Sequence, residues 1–378
     1  MARIKPLLDR RVVVVTGANA GIGLAISQHL VTYFGSARIP VVLVLACRNL
    51  SRAVNAQHQL RQLAIEYNKN DNYKDSLIQI ETLQCNLSEA KQVLTATVEF
   101  KRRYGRLDAF ICNAGMIPVE RFSLPHAILS MLRNPANFAQ TTADAIIQRI
   151  GVRTADSFAF GEAFAANFLG HYIFLKEVEN LMQKTTNLLK DENYHRGSSV
   201  GSRVVWMTSD TAEHKFFDFS DIQCLKGNMP YESSKRLIEI MHMQTYASLK
   251  KKGIYSCLVN PGISATDITQ GLVPMFLVYF ALYFLRCCGL PGVCATPQNA
   301  ATSAVHLAVK IENLDAVDPD TVYQSDVSFW GKPRIRKLKL DKTGVRVCDG
   351  DICTFGDVDA SEVQAYIEGI LETVKNGI

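Results

Sequence analysis

The sequence lacks several features that would define a function class. Its net charge of +5, from 41 basic and 36 acidic residues, is small and gives no nucleic-acid-binding signature. The first apolar run, Val12 to Val15, is far too short for a secretory signal. Cys348 and Cys353 have no partner ligands at zinc-site spacing, and no internal repeat is visible. We therefore expect neither nucleic-acid nor metal binding, and a core that faces the cytosol.

The composition allows a large folded core. A chain of 378 residues with 48% hydrophobic content can form one large α/β domain, or one domain plus an appendage. Four of the ten cysteines lie within apolar runs, namely Cys47, Cys85, Cys112 and Cys257. We expect these to be buried free thiols in a reducing compartment.

Short apolar runs alternate with longer helical patterns along the chain. Unalternating runs are typical of strands buried on both faces, and here they are Val12 to Val15, Val41 to Ala46, Leu107 to Cys112, Val204 to Met207 and Tyr255 to Val259. The segment Leu77 to Leu83 supplies a further strand. The helical patterns between them are Gly21 to Phe34, Ser51 to Tyr67, Ser88 to Tyr104, Phe158 to Met182 and Tyr231 to Lys251. This alternation predicts an α/β fold with a doubly wound parallel sheet of the Rossmann type.

Two stretches depart from the alternation. Residues 118–156 are long for a strand-to-helix connection, which predicts an insertion with helical pieces beside the site. Near the end of the chain, Lys332 to Lys342 is basic and Ala360 to Val374 has the pattern of a terminal helix. We therefore predict a main domain over residues 1–325 and a C-terminal extension over residues 326–378.

The first strand leads into a glycine-rich turn. Its residues are Thr16, Gly17, Ala18, Asn19, Ala20, Gly21, Ile22 and Gly23, and a helix follows at once. Glycines allow the backbone to approach a pyrophosphate closely, and a helix N-terminus offers free N–H donors and the positive end of a dipole. The order of strand, loop and helix indicates a dinucleotide-binding turn; the alternative is a tight turn without a ligand.

The end of the second strand bears on which dinucleotide is bound. An acidic residue there would accept hydrogen bonds from the ribose 2′-hydroxyl of NAD and would repel a 2′-phosphate. No acid is present, and Arg48 follows the strand, where it can form charge-assisted bonds to a phosphate. This favours NADP(H); the alternative is a solvated arginine at the edge of the sheet.

Tyr231 and Lys235 are four residues apart, so they share one face of a helix. A free phenol has a pKa near 10, and a nearby cation favours its phenolate form. Lowering that pKa to about 7 requires roughly 4 kcal/mol of differential stabilisation. The pair indicates acid–base chemistry near neutral pH, although the same spacing also occurs by chance on ordinary helix faces.

These residues together resemble the short-chain dehydrogenase/reductase family over residues 10 to about 310. The resemblance rests on the glycine turn, Asn113-Ala114-Gly115, Asn167, Ser209, Tyr231 with Lys235, and Asn260-Pro261-Gly262 with Thr266. A closer resemblance is to the fungal 3-keto-steroid reductases of sterol C-4 demethylation, which are related to animal 17β-hydroxysteroid dehydrogenase type 7. It is carried by Ala46 to Asn49, YESSKRL at Tyr231 to Leu237, the long interval from Ser209 to Tyr231, and Tyr323 to Ser325.

The resemblance implies a role for each matching residue. Tyr231 would donate a proton to the substrate oxygen, while Lys235 would lower the Tyr231 pKa and bind the nicotinamide ribose. Ser209 would polarise the carbonyl, and Asn167 would hold a water through its backbone.

Further matching residues would bind the cofactor. Asn113, Ala114 and Gly115 would line its cleft, and Pro261, Gly262 and Thr266 would meet the nicotinamide carboxamide. Asn86 stands where the family usually has an aspartate near the adenine, and it can still accept a hydrogen bond. A further departure is Asp210, directly after the catalytic serine.

An apolar stretch over residues 272–290 carries no charge before Arg286. The fourteen residues from Leu272 to Leu285 would span about 21 Å as a helix, short of the roughly 30 Å of a bilayer core. We expect a lid over an apolar ligand or a helix at a membrane interface, with Cys287 and Cys288 as acylation sites. The alternative is a buried core or dimer helix.

The resemblance and this stretch together predict an NADPH-dependent reductase that converts 3-oxo sterols to 3β-hydroxysterols. The expected location is the cytosolic face of the endoplasmic reticulum membrane, with lipid droplets as a second site. Expected partners are the membrane surface, other sterol C-4 demethylation enzymes, and a second copy through the Phe158 to Met182 and Tyr231 to Lys251 helices. The alternatives are a reductase of another lipid carbonyl (retinal, a 17-oxosteroid or a fatty acyl ketone) and a dinucleotide-binding scaffold for sterol enzymes.

Overall fold

The computed structural model describes residues 10–68, 76–123, 146–192, 200–265, 275–287, 289–340, 345–347, 353–355 and 358–377. Its centre is an eight-stranded sheet with the strand order β12-β11-β8-β7-β4-β1-β2-β3. These strands are β1 (Arg11–Thr16), β2 (Val41–Cys47), β3 (Ile78–Gln84), β4 (Ala109–Cys112), β7 (Ser202–Met207), β8 (Ile254–Asn260), β11 (Thr321–Val327) and β12 (Pro333–Lys339). Every pairing is parallel except that of β11 with β12. The predicted α/β doubly wound sheet is confirmed.

Helices cover both faces of this sheet. The longer helices are α1 (Gly21–Ala37), α2 (Leu50–Ala64), α3 (Ala90–Arg103), α4 (Gly170–Glu192), α5 (Pro230–Lys251), α6 (Met275–Cys287) and α7 (Ala360–Asn376). Alternate residues of β1 point to opposite faces: Val12 and Val14 join the core under α3, α4 and α5, while Val13 and Val15 join the core under α1 and α2. The continuous apolar runs of the sequence follow from this two-sided burial.

The helix predicted over Phe158 to Met182 is interrupted by an irregular turn. A short turn, Glu162–Phe164, leads into a π-helical turn, Ala165–Leu169, and α4 then continues to Glu192. π-helical turns are rare and often lie at functional sites.

The described ends of the predicted insertion form strands rather than helical pieces. β5 (Val119–Phe122) pairs antiparallel with β6 (Ile146–Gln148). Residues 124–145 lie outside the described part of the chain. The part of the insertion after residue 145 therefore begins with a strand that ends at Gln148.

The C-terminal residues are integrated into the fold. The predicted boundary at residue 325 falls inside β11, and β12 extends the central sheet at its edge. Helix α7 buries Val363, Ile367 and Leu371 in the core that contains α4 and α5. The Tyr172 hydroxyl donates a hydrogen bond to Glu368 at 2.9 Å. This helix thus packs against the helices that the resemblance assigns to a dimer interface.

Three smaller sheets complete the described structure. β9 (Ile263–Ser264) pairs with β10 (Val293–Ala295), β5 pairs with β6, and β13 (Val345–Val347), β14 (Cys353–Phe355) and β15 (Val358–Asp359) form the third. Across the described part of the chain, none of the helices combines the length and the apolar character that crossing a bilayer requires.

Candidate active site

The predicted site residues converge at the carboxyl ends of the parallel strands. Thr16 ends β1, Asn113 follows β4, Ser209 lies shortly after β7, and Asn260 ends β8. In open α/β sheets this edge is where ligands bind. The sheet therefore brings together residues that are far apart in sequence.

The glycine turn has the conformation and the close contacts that only glycine permits. Gly17 and Gly21 have positive φ values of 63° and 52°, in the left-handed region. A Cβ atom on Gly23 would lie less than 3.0 Å from both the Gly17 carbonyl oxygen and Asn113 Nδ2. Asn113 Nδ2 also donates to the Thr16 carbonyl at 2.9 Å. The turn, α1 and the strand edge are thus tightly packed around one backbone cradle.

This cradle opens into a cleft of about 330 Å³. Its lining includes the predicted residues Gly17, Asn19, Gly21, Ile22, Gly23, Arg48, Asn86, Asn113, Ala114 and Gly115. The free N–H groups at the start of α1 face an anion-binding position, so the cleft fits the phosphates of a dinucleotide.

The cleft wall contains a second arginine that the sequence analysis did not single out. Arg52 lines it together with Arg48, and both side chains are exposed. Asn49 caps α2 by accepting a hydrogen bond from the Arg52 backbone N–H at 2.9 Å. The cap sets the first turn of α2 and places both guanidinium groups at the same end of β2. The sequence could have identified Arg52 by its position four residues after Arg48, across the start of a helix.

Tyr231 and Lys235 lie in the first turns of α5. Pro230 at the first helical position starts α5 directly before them. Lys235 Nζ is 5.5 Å from the centroid of the Tyr231 ring and donates a hydrogen bond to the Met207 carbonyl at 2.7 Å. Burial lowers the pKa of Lys235 to about 8. The lysine is therefore a cation held beside the phenol at neutral pH.

The Tyr231 pKa shifts in the direction opposite to the predicted one. Burial raises it above its usual value, the charges of Glu232 and Asp210 raise it further, and a hydrogen bond with Ser209 lowers it. Desolvation of the hydroxyl is the largest of these effects, and Lys235 is itself desolvated and bonded to the Met207 carbonyl. At neutral pH Tyr231 keeps its proton in this structure, which suits a proton donor.

Ser209 contacts both Tyr231 and its own loop. Its hydroxyl lies 3.0 Å from the Thr211 hydroxyl, and its presence near the Tyr231 side chain lowers the pKa of that tyrosine. The Thr211 backbone N–H donates to Ser209 Oγ at 3.3 Å. These contacts fix the serine hydroxyl within its own loop, near Tyr231.

Asn167 lies in the π-helical turn and connects two parts of the site. Its Oδ1 accepts from the Met116 backbone N–H at 2.7 Å, and its Nδ2 donates to the Met116 carbonyl at 3.0 Å and to Ser234 Oγ at 2.9 Å. Ser234 Oγ donates to the Tyr231 carbonyl at 2.6 Å. Asn167 therefore braces the strand-end loop against the start of α5.

His171 extends this network and was not predicted. Its Nε2 lies 2.8 Å from Thr16 Oγ1, and its Nδ1 lies 3.2 Å from the Asn167 carbonyl. Burial lowers the pKa of His171 to about 3, so the ring is neutral. Thr16 Oγ1 also accepts from the backbone N–H groups of Asn113 and Ala114, each at 2.9 Å. His171 thus ties the cofactor turn to the π-helical turn.

Asp210 organises the segment after β8. Its carboxylate accepts hydrogen bonds from Asn260 Nδ2 at 2.6 Å and from Gln324 Nε2 at 2.8 Å. Gly262, with φ of 68°, leaves no room for a Cβ beside the Gly292 carbonyl. Asn260 and Asp210 therefore fix the Pro261-Gly262 turn next to Ser209, whereas Thr266 lies outside the described residues.

Gln148, from the insertion, contacts Tyr231. It is buried, and its Oε1 accepts from the Tyr231 backbone N–H at 3.0 Å. Its Nε2 donates to the Glu232 carboxylate at 2.6 Å. No local sequence pattern identifies Gln148, because its hydrogen-bonding partner Tyr231 lies 83 positions further along the chain.

Residues 11–275 match the model of the short chain dehydrogenase family, which is more than half of the chain. The chain belongs to this family. It is accordingly an oxidoreductase that acts on a hydroxyl or keto group and uses a nicotinamide dinucleotide. The fit of the glycine cradle to a dinucleotide agrees with that membership.

Relatives with full-length similarity carry related names. The chain is 31% identical to "3-keto-steroid reductase erg27" of Schizosaccharomyces pombe, over 88% of this chain and 91% of that protein. It is 28% identical to "3-keto-steroid reductase ERG27" of Saccharomyces cerevisiae, over 89% and 92%. It is 29% identical to "3-keto-steroid reductase/17-beta-hydroxysteroid dehydrogenase 7" of Rattus norvegicus, over 88% and 90%.

A solved structure shows the same fold. The structure of a 7α-hydroxysteroid dehydrogenase with NADH and 7-oxo glycochenodeoxycholic acid matches with a TM-score of 0.52 and 18% identity. The match covers 87% of this chain and 97% of that one. At this identity the likeness concerns the fold alone.

Proposed function

We propose that this protein reduces 3-oxo sterols to 3β-hydroxysterols with NADPH, as a step of C-4 demethylation in sterol biosynthesis. One observation carries the proposal: Lys235 lies 5.5 Å from the centroid of the Tyr231 ring and Ser209 acts on the pKa of the same tyrosine, in a chain whose relatives are named 3-keto-steroid reductases along nearly their whole length. The site residues support the reduction of a carbonyl group, and the names of the relatives suggest that the substrate is a 3-oxo sterol.

Each residue of the site has its own role in the proposed carbonyl reduction. NADPH, when bound, supplies the hydride. Tyr231 donates its hydroxyl proton to the substrate oxygen as negative charge develops there. Ser209 donates a hydrogen bond to the same oxygen and polarises the carbonyl. Lys235 stabilises the phenolate that remains. Asn167 holds the loop after β4 against the start of α5.

The preference for NADPH over NADH rests on the cleft wall. Arg48 and Arg52 both line the cleft, and the residues at the end of β2 include no acid. Two guanidinium groups can bind a 2′-phosphate with charge-assisted hydrogen bonds, whereas an acid would repel it. Asn86 lies in the same cleft and would adjoin the adenine.

Further residues around the cleft are proposed to bind the cofactor. Asn113, Ala114 and Gly115 line the cleft beside the glycine turn. Pro261 and Gly262 would meet the carboxamide end, with Thr266 as the further member of that segment. Lys235 would bind the nicotinamide ribose.

The location and assemblies are also proposed. The expected site is the cytosolic face of the endoplasmic reticulum membrane, with lipid droplets as a second location, because sterols partition into apolar phases. Other enzymes of C-4 demethylation are the expected partners. A homodimer would use a surface other than the parts of α4 and α5 that α7 packs against.

A second candidate substrate class is the 17-oxosteroids. The printed name of the rat relative joins 17-beta-hydroxysteroid dehydrogenase to 3-keto-steroid reductase, which favours it over the retinal and fatty acyl ketone alternatives. A scaffold without catalysis is the weaker alternative, because Tyr231, Lys235, Ser209 and Asn167 are all present and assembled.

The decisive experiment measures NADPH oxidation by the purified protein with a 4-methyl-3-oxosterol, a 17-oxosteroid and retinal in detergent. The 3-oxosterol should be reduced, and the product should be the 3β-alcohol. Turnover of the 17-oxosteroid alone would replace the proposed substrate.

Tyr231→Phe tests the proton donor in the same assay. This variant should lose at least a hundredfold in turnover, the lower end of general acid catalysis, and keep its NADPH affinity. Full activity in the Tyr231→Phe protein would refute the assigned donor.

A further inference from the structure

The exposed aromatic side chains are concentrated in two neighbouring places. Among the described residues, α6 exposes Phe276, Phe280 and Phe284, which are spaced four apart and so share one face. The turn between β11 and β12 exposes Phe329 and Trp330, whose rings are 5.2 Å apart, and Trp330 is 89% exposed. Single exposed apolar residues are ordinary, but a group of this kind marks an interaction site.

Arg286 joins the two places. Its guanidinium, at the end of α6, donates to the Ser328 carbonyl at 3.2 Å and to the Phe329 carbonyl at 3.3 Å. It also lies 5.9 Å from the centroid of the Tyr283 ring, which is itself exposed. The helix and the hairpin turn are therefore one continuous surface, here named the aromatic face: Phe276, Phe280, Tyr283, Phe284, Phe329 and Trp330.

The opposite side of α6 already has its partners. Leu282 and Leu285 are buried with Ala265, Val293 and Ala295 in a small core of their own. The helix is thus fixed on the β9–β10 sheet, directly after the Pro261-Gly262 turn. Its exposed aromatic residues are not needed to complete that core.

The surroundings of the aromatic face are basic. Neither α6 nor β12 contains an acidic residue, and Lys332 and Arg334 are exposed beside the hairpin turn. The nearest acid in β11, Asp326, is buried and paired with Arg334 at 2.7 Å. Exposed aromatic residues beside cations match the interface of an anionic bilayer, where rings enter the headgroup region and cations meet the phosphates.

We propose that the aromatic face docks the protein onto an anionic phospholipid bilayer, with α6 lying along the interface and the Phe329-Trp330 turn as a second insertion point. A helix of 13 residues is about 20 Å long, which suits lying in the interface rather than spanning it. A second copy of the chain fits less well, because the exposed Lys332 side chains of the two copies would meet with like charge. The surface is independent of the ketone chemistry, so it is tested without substrate.

Vesicle flotation of the full chain tests the docking. The protein should float with vesicles of phosphatidylcholine and phosphatidylserine and bind pure phosphatidylcholine more weakly. The double variant Phe329→Ala, Trp330→Ala should bind at least tenfold more weakly, since two aromatic side chains lose their burial. Val98→Ser, at an equally exposed apolar position on α3, is the matched control and should bind as the wild type does.

Charge reversal tests the basic component. Lys332→Glu should weaken binding to the anionic vesicles by roughly tenfold, whereas Lys184→Glu, on the exposed side of α4, should have little effect. Equal losses for the two variants would mean that net charge alone drives binding, and the docking surface would be refuted.

Tryptophan fluorescence locates the contact. The chain has two tryptophans, and Trp206 is buried while Trp330 is exposed. Vesicles should shift the emission to the blue, brominated lipids should quench it, and both effects should be absent in Trp330→Phe. Quenching that persists in Trp330→Phe would overturn the assignment of the hairpin turn.

Two further outcomes separate this proposal from the reductase proposal. A protein that reduces 3-oxosterols in detergent but does not float with vesicles would overturn the docking surface alone. A dimer in gel filtration that becomes a monomer in the Phe329→Ala, Trp330→Ala variant, without vesicle binding by the wild type, would assign the face to a second copy instead.

Discussion

Gln148 accepts a hydrogen bond from the backbone N–H of Tyr231 at 3.0 Å. The same side chain donates to the carboxylate of Glu232, so one buried amide holds the first turn of α5 from outside the helix. The insertion thereby contributes a residue that positions Tyr231, the proposed proton donor.

Replacing Gln148 should affect turnover more than cofactor binding. Gln148→Ala removes this partner from the Tyr231 N–H and the Glu232 carboxylate, so the first turn of α5 holds the tyrosine hydroxyl less precisely. We expect kcat to fall about tenfold while the KM for NADPH changes less than twofold. Steady-state kinetics measure this split, with Gln62→Ala on the exposed side of α2 as the control. A rise in the NADPH KM with unchanged kcat would contradict the positioning role.

Arg48 and Arg52 should determine the cofactor preference together. Removing a charge-assisted hydrogen bond to the 2′-phosphate costs about 1.5–3 kcal/mol, which is at least tenfold in affinity. Arg48→Ala and Arg52→Ala should each weaken NADPH binding and leave NADH binding nearly unchanged. Fluorescence titration with both cofactors measures the ratio. If Arg52→Ala binds the two cofactors as the wild type does, Arg52 has no part in phosphate recognition.

Ketone reduction should fall as pH rises through about 8. The ammonium of Lys235 has a pKa lowered to about 8 by burial, and its charge stabilises the phenolate left on Tyr231. The folded protein releases this proton before the unfolded chain does, near 10.5, so the Lys235 contribution to the free energy of unfolding increases between these pH values. Deprotonation of Lys235 should therefore lower activity without itself destabilising the fold, and thermal melting at each pH separates the two effects.

Lys235→Arg is the matched variant for this pH dependence, because an arginine stays charged across the range. Its residual activity should show no fall near pH 8. An unchanged alkaline limb in this variant would assign the titration to another group.

Two helical glycines provide a paired test of the cofactor turn. Gly23→Ala would push a methyl group into the Gly17 carbonyl and Asn113, so it should lower stability by about 1–3 kcal/mol and abolish tight dinucleotide binding. Gly369→Ala on α7 meets nothing within 4 Å and should stabilise the protein by about 0.5–1 kcal/mol. Chemical denaturation and cofactor titration compare the two; a Gly23→Ala protein with normal binding would show that the close approach is dispensable.

The sequence by itself determined the elements that follow local rules. Continuous apolar runs predicted the buried parallel strands, and the glycines from Gly17 to Gly23 predicted the cofactor turn, because both depend on the backbone and its immediate neighbours. The spacing of Tyr231 and Lys235 placed both on one helix face. These features need no knowledge of distant residues.

Only the tertiary structure decided what depends on distant contacts. Gln148 and His171 join the site across long sequence separations, which no local pattern reports. The direction of the Tyr231 pKa shift follows from how deeply the folded chain buries its hydroxyl, not from the nearby lysine that the sequence shows. The contact between α6 and the Phe329-Trp330 turn is likewise made in the folded chain, where Arg286 hydrogen-bonds to backbone carbonyls of that turn.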